Sequence, residues 1–239
     1  MDTQKNYDEF TKYVSNFDIN NPVIKQRFEH SLRVKNISNE LAKSLNMNNE
    51  EVDVASLIGL LHDTARFYQI TKYGSISYCK TIDHGDYGVE ILFVDNLISN
   101  FDVDKKYYDV IKDAIKNHNK MKIIEPVSNL EFCKIIRDAD KLDILYIISN
   151  KVNEMGTEPI SEDISKAFYS ENEIKYSDIK TTGDKILVYL GYVFDFNYKF
   201  SFKYIKDNKL YEKIYEKLNN ESLKEYFDYV YKYIDDMLK

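Results

Sequence analysis

From Val54 to Leu61, seven of eight positions are apolar or glycine, and the run "VASLIGLLHDTARF" passes directly into His62-Asp63. A segment this apolar belongs in a core, yet its end carries an imidazole and a carboxylate. Burying those groups is costly unless something pairs with them. The chain has only 7 Gly and 3 Pro in 239 residues, little material for the turns of a many-stranded sheet. The burial is therefore expected to be arranged by helices joined by short polar loops, in an all-α fold large enough for a substantial core.

Helical periodicity runs along most of the chain. A short leading helix is predicted over 8–17, and Pro22 suits the first turn of a helix reaching about Asn46. Asn48 or Asn49 can cap the helix that carries the apolar run to His62. Residues 68–83 read as irregular, a helix is predicted from His84 to about Ser99, and another from Asp102 or Asp104 to His118. A long helix follows over 128–150, containing "KIIRDADKLDILYII". The character then changes: 151–182 is polar with short helical pieces, 182–202 reads as one aromatic helix, and amphipathic helices over 208–218 and 222–238 finish the chain. Two domains are expected, a helical domain over 1–150 and a helical C-terminal extension over 151–239 packed on it.

All four histidines fall on inward faces of these helices. His30 shares a stripe with Val23, Val34, Ile37 and Leu41, and His118 shares one with Ile111, Ala114 and Ile115. His62 follows Ala55 and Ile58, and His84 sits near a helix start with Gly88 and Ile91 along its face. Asp140 lies among Cys133, Ile136, Ile144 and Ile147. A single inward histidine is ordinarily a satisfied core residue, but five such positions together with Asp63 call for one shared explanation. Imidazole nitrogens and carboxylate oxygens make a divalent transition-metal site. Six such groups suit two ions bridged by a carboxylate better than one ion. Mixed ligation of this kind favours iron or manganese and allows zinc, nickel or cobalt.

The arginines point to the same place. The chain has only Arg27, Arg33, Arg66 and Arg137, each three residues from His30, Asp63 or Asp140. Neighbours at that spacing share a helix side, and a guanidinium fork suits phosphate or carboxylate. Arg66, just past His62-Asp63, is the expected phosphate ligand; the others can equally pair with the ligating carboxylates. A net charge of -7 argues against a nucleic-acid polymer as partner. The two cysteines, Cys79 and Cys133, fit no zinc spacing, have no free histidine to activate them, and suggest a reducing compartment. The start "MDTQKNYDEF" lacks the apolar core of a signal peptide, and the longest apolar run, 186–194, is too short to span a bilayer. A cytoplasmic location without membrane association is expected, and a homodimer is compatible with these features.

The ordered series His30, His62-Asp63, His84, His118, Asp140 resembles the HD-domain superfamily of metal-dependent phosphohydrolases over roughly 22–150. "FEHSLRV", "LLHDTAR", "HGDYG", "IKNHN" and "IRDADKLD" each look like the corresponding family segment. The two additional histidines resemble the two-metal members. The resemblance implies an HD-type helical bundle in which His30, His62, Asp63 and Asp140 hold one ion. His84 and His118 would hold the second, with Asp63 bridging. Asn119 stands where the cyclic-dinucleotide phosphodiesterases of the superfamily have a further histidine. The pattern is closer to the symmetrical diadenosine tetraphosphate hydrolases, although the C-terminal extension does not match them.

The expected reaction is hydrolysis of a phosphate ester or anhydride in a small phosphorylated substrate, a nucleotide being the natural choice. Asp63 and Arg66 would be catalytic, with Arg66 and Lys141 meeting the phosphoryl charge. Two other readings share the ligand set: a diiron oxygenase similar to the inositol oxygenases, and a non-catalytic metal-dependent sensor. Aromatic residues of the extension, Tyr192 and Tyr198 with Asp195 among them, could line a pocket but read more simply as core.

Overall fold

The computed structural model describes residues 1–74, 82–152, 158–171 and 174–239, and these are helical with no strand among them. The chain forms two compact units, Met1–Asp140 and Lys141–Lys239. The division falls inside a long helix, whereas the change in composition lies near residue 150. Cys79 and the middle of the stretch expected to be irregular lie outside the described residues. No helix among the described residues is long and apolar enough to cross a membrane.

The first unit contains α1 (Thr3–Val14), α2 (Pro22–Ser44), α3 (Asn49–Leu61), α4 (Thr64–Tyr73), α5 (His84–Val89), α6 (Tyr108–Asn117) and the first half of α7 (Leu130–Lys151). Helix α1 begins earlier than expected because Asp2 caps it, accepting from the Lys5 backbone N–H. Pro22 opens α2 as expected, behind Asn21 as cap. Asn48 and Glu51 form a reciprocal capping box at the start of α3. The prediction of irregular chain from residue 68 is wrong as far as Tyr73. Helix α4 continues to Gly74, whose φ of 70° supplies the left-handed turn that ends it. The helix predicted from His84 to Ser99 is also corrected. It is α-helical only to Val89, widens into a π turn over Glu90–Val94, and breaks at Asn96 in the left-handed region.

Helix α3 is buried along its whole apolar run, from Val54 to Leu61. Gly59 explains how it lies against α2. A Cβ there would stand 2.8 Å from the Val34 carbonyl oxygen, 2.8 Å from Ser38 Oγ and 2.9 Å from Lys35 Cα. The two helices thus approach at backbone distance through a position that only glycine fills. On the other side of α2, Phe10 stacks on Phe28 and meets Phe67 edge-on, while the Tyr13 hydroxyl donates to the Thr64 carbonyl. These contacts tie α1, α2 and α4 around the turn between α3 and α4, where His62 and Asp63 lie.

The second unit contains the rest of α7, then α8 (Glu162–Tyr169), α9 (Thr182–Gly191), α10 (Lys199–Asp207), α11 (Leu210–Leu218) and α12 (Lys224–Leu238). The single aromatic helix predicted over 182–202 is in fact two. It tightens into a 3₁₀ turn at Tyr192–Asp195, and Phe196 and Tyr198 are extended before α10 begins. Gly191, Asp195 and Asn197 are poor helix formers, and their propensities outweigh the aromatic periodicity here. The fully buried Tyr211 bonds the carbonyls of Tyr189 and Leu190, which fastens α11 to the end of α9.

Asp184 organises the start of α9. Its carboxylate accepts from the backbone N–H groups of Ser161, Lys180 and Thr181 and from the Ser161 hydroxyl. Burial alone would raise its pKa, but these donors hold it below the usual 3.8. The group therefore contributes stability above that pH and loses it as pH falls through the lower folded value. Asp184→Ala should destabilise the chain by about 2–3 kcal/mol at neutral pH, because buried donors lose their acceptor. Urea midpoints at pH 7 and pH 3 check this: the difference between wild type and variant should shrink at the lower pH.

Candidate metal centre

The expected residues are brought together by α2, the turn between α3 and α4, α5, α6 and α7. His30 comes from the middle of α2, His62 and Asp63 from the turn between α3 and α4, His84 from the first turn of α5, and His118 from the end of α6. Asp140 comes from α7. His30 and His62 are fully buried, His118 and Asp63 nearly so, while His84 and Asp140 are partly exposed.

Their atoms form two clusters that share one carboxylate. His30 Nε2 lies 3.2 Å from His62 Nε2 and 3.2 Å from Asp140 Oδ1, and His62 Nε2 is 3.6 Å from the same oxygen. His84 Nε2 lies 3.1 Å from His118 Nε2. Asp63 stands between them. Its Oδ2 is 3.7 Å from His30 Nε2 and 3.9 Å from His62 Nε2. Its Oδ1 is 3.6 Å from His84 Nε2 and 3.7 Å from His118 Nε2.

The tautomers suit ion binding at two of the rings. His62 Nδ1–H donates to the Gly59 carbonyl at 2.8 Å, and His118 Nδ1–H donates to the Ile115 carbonyl at 2.6 Å. A carbonyl only accepts, so each neutral ring carries its proton on Nδ1 and turns the Nε2 lone pair inward. One donor atom each from His30, His62 and Asp140, and likewise from His62, Asp63 and His118, lies within 4.8 Å of its companions. Nitrogen and oxygen donors gathered this closely around shared points fit a divalent transition ion.

Charge is balanced within the centre. Burial pushes the Asp63 carboxyl up, but His62, His118, Arg66 and His84 outweigh it and hold it well below its ordinary value. For Asp140, burial is likewise overcome by hydrogen bonds and charge from His30 and His62. Burial, with His118 and Arg66 adding to it, keeps His84 neutral far below its usual 6.5. Ionised carboxylates and a neutral His84 imidazole are the protonation states that ligands need.

The arginines separate into distinct roles. Arg27 pairs with Asp63 Oδ2 at 3.2 Å. Arg66 places Nε 3.6 Å from Asp63 Oδ1 and donates from a terminal nitrogen to Gln69 Oε1 at 3.1 Å. Arg137 serves the backbone: it donates to the carbonyls of Asn117, Lys120 and Met121, closing the chain just after His118. Lys141, in the second unit, pairs with Asp195 and lies 5.6 Å from the Tyr192 ring centroid. Two residues without an expected role also lie at the centre: Asn119 contacts Asp83 and His84, and Asp138 is fully buried one turn before Leu142 in α7. Both lie inside segments that resemble the family, "IKNHN" and "IRDADKLD", directly beside or two residues from a ligand candidate.

An all-helical domain holding a buried histidine–aspartate cluster of this composition is a natural mount for divalent metal. Residues 27–145 match the family model of the HD domain, and through this segment the chain belongs to the HD-domain family. HD domains bind divalent metals and are typically metal-dependent phosphohydrolases. Comparison with curated proteins and with solved structures gives no significant match.

Proposed function

We propose that this protein hydrolyses a phosphate ester or anhydride in a small phosphorylated molecule, with a nucleotide as the preferred class, using two divalent transition ions. The observation that carries this reading is Asp63, which offers one oxygen to the His30–His62 pair and the other to the His84–His118 pair. His30, His62, Asp63 and Asp140 would hold one ion, and Asp63, His84 and His118 the other. Bound there, the ions supply a hydroxide at neutral pH and polarise the phosphoryl oxygens.

The chain's own groups do the rest. Hydrogen bonds to Gly59 and Ile115 keep His62 and His118 aimed inward without rearrangement during turnover. Arg27 pairs with Asp63 Oδ2 and orients the carboxylate from the side of the first cluster. Arg66 is partly exposed, and its Nε has no hydrogen-bond partner. A guanidinium with donors unspent beside the bridging carboxylate can take up charge developing on a phosphoryl group. Lys141 is engaged with Asp195, so the phosphate contact is assigned to Arg66 first.

The test is phosphate release from a panel of nucleotides and phosphate esters, with protein purified without chelators and supplied with Mn2+, Fe2+, Zn2+, Ni2+ or Co2+. Turnover should depend on metal and disappear in a His62→Ala/Asp63→Ala variant. Oxygen consumption with ferrous iron and no phosphate release would replace this reading with the oxygenase one. Metal uptake with neither activity would indicate a sensor.

A further inference from the structure

Gln69 lies on α4, three residues beyond Arg66, and is fully buried. A buried amide brings donors and an acceptor that must be met inside the protein. Its Oε1 accepts from Arg66 Nη1 at 3.1 Å, and its Nε2 donates to the Ile82 carbonyl at 3.0 Å. A guanidinium only donates and a carbonyl only accepts, so the amide has one possible orientation. Residues three apart share a helix side, so the bond to Arg66 follows from the geometry of α4. The bond to Ile82 leaves that helix. Ile82 leads directly into Asp83, which caps α5, and His84. Gln69 thus ties the Arg66 side chain to the segment that enters α5.

This tie governs what the Arg66 fork can reach. Nε lies 3.6 Å from Asp63 Oδ1 and is buried without a hydrogen bond, while Nη1 is held by the amide. The side chain is partly exposed, and Nη2 is the end left to meet a ligand. A carboxylate and a guanidinium in reach of each other favour two parallel hydrogen bonds. Without the amide, nothing at Nη1 would oppose the turn of the fork onto Asp63. Arg66 would then spend its donors on that carboxylate. The Gln69 oxygen competes for one of them and holds the fork off. Being neutral, it does so without cancelling the charge of Arg66.

We propose that Gln69 is a positioning residue: by holding Nη1 it keeps the Arg66 guanidinium from closing on Asp63, so that Nη2 stays available to a phosphoryl group of the substrate. This rests on the hydrolase reading above.

A double-mutant cycle on phosphate release, at saturating Mn2+ and with the best substrate of the panel, tests it. Gln69→Met nearly keeps the side-chain volume and removes both hydrogen bonds. It should lower kcat by about tenfold, the range for losing one hydrogen bond to a charged group, and change KM less. In an Arg66→Ala background the same substitution should change kcat by less than about twofold, because the group it positions is gone. Gln69→Asn has an amide too short to span Arg66 and Ile82 together. It should give the same pattern, and it carries the cycle if Gln69→Met does not fold. A Gln69 that only holds α4 to the entry of α5 would cost the same factor with and without Arg66, which would overturn the proposal. Full kcat in Gln69→Met or in Arg66→Ala would overturn it as well, and would leave phosphate hydrolysis standing. Wild-type protein that releases no phosphate from any compound of the panel would overturn the hydrolase reading and the positioning role with it.

Discussion

Asp63→Ala is expected to abolish binding of both ions and to lower turnover by about 10³-fold or more, the range for losing a central electrostatic or metal-holding group. No other carboxylate in the described centre faces both histidine pairs: Asp140 approaches only His30 and His62. Removing Asp63 also leaves Arg27 and Arg66 beside a site with no counter-charge. Those guanidinium groups would repel an incoming divalent ion, so loss of the ligand and loss of the anion act in the same direction. His84→Ala makes the contrast, because it touches one cluster and should cost one equivalent of metal. Metal content by plasma mass spectrometry, with turnover on the best substrate of the panel, distinguishes the two variants. An Asp63→Ala protein that retained one full equivalent would show that Asp63 does not bridge.

Gly59→Ala should lower the melting temperature by about 5–10 °C, corresponding to about 2–3 kcal/mol of overpacking in a chain of this size. Two of the three atoms that the new methyl would meet are backbone, the Val34 carbonyl oxygen and Lys35 Cα, and neither can swing aside as a side-chain terminus would. Relief requires α3 to move away from α2. The His62 ring is anchored to the Gly59 carbonyl, and its partner His30 sits on α2, so that movement widens the 3.2 Å spacing between their Nε2 atoms. Weaker metal binding should therefore accompany the loss of stability. Thermal melts with and without excess Mn2+ check both parts, since ligand that binds only the folded state raises the midpoint by mass action. Midpoints equal to those of wild type under both conditions would contradict the close helix crossing.

Much of this was legible without coordinates because helical periodicity is a local property. The inward placement of His30, His62, His118 and Asp140 needed only spacing relative to apolar neighbours. The caps at Asn21 and Asn48 needed only the residue types that satisfy free N–H groups. The failures share a cause as well. Helix α4 survives to Tyr73 and the aromatic stretch breaks at Tyr192 because packing and local propensity each prevailed at one of these places, and periodicity cannot say which. Spacing along a helix also could not foresee that Arg137 donates to carbonyls sixteen to twenty residues away.

The sequence alone determined the class of the fold, the six candidate ligands and their order along the chain. It could do so because a helix presents a residue at a face according to its position, whatever lies opposite. Tertiary structure alone decided which atoms meet. That Asp63 turns one oxygen to each histidine pair, that Gly59 lets α3 reach the α2 backbone, and that the Asn119 amide meets His84 all depend on helices distant in sequence and close in space. Hydrogen-bond direction and side-chain rotation are set by the partner, and the partner is known only once the chain has folded.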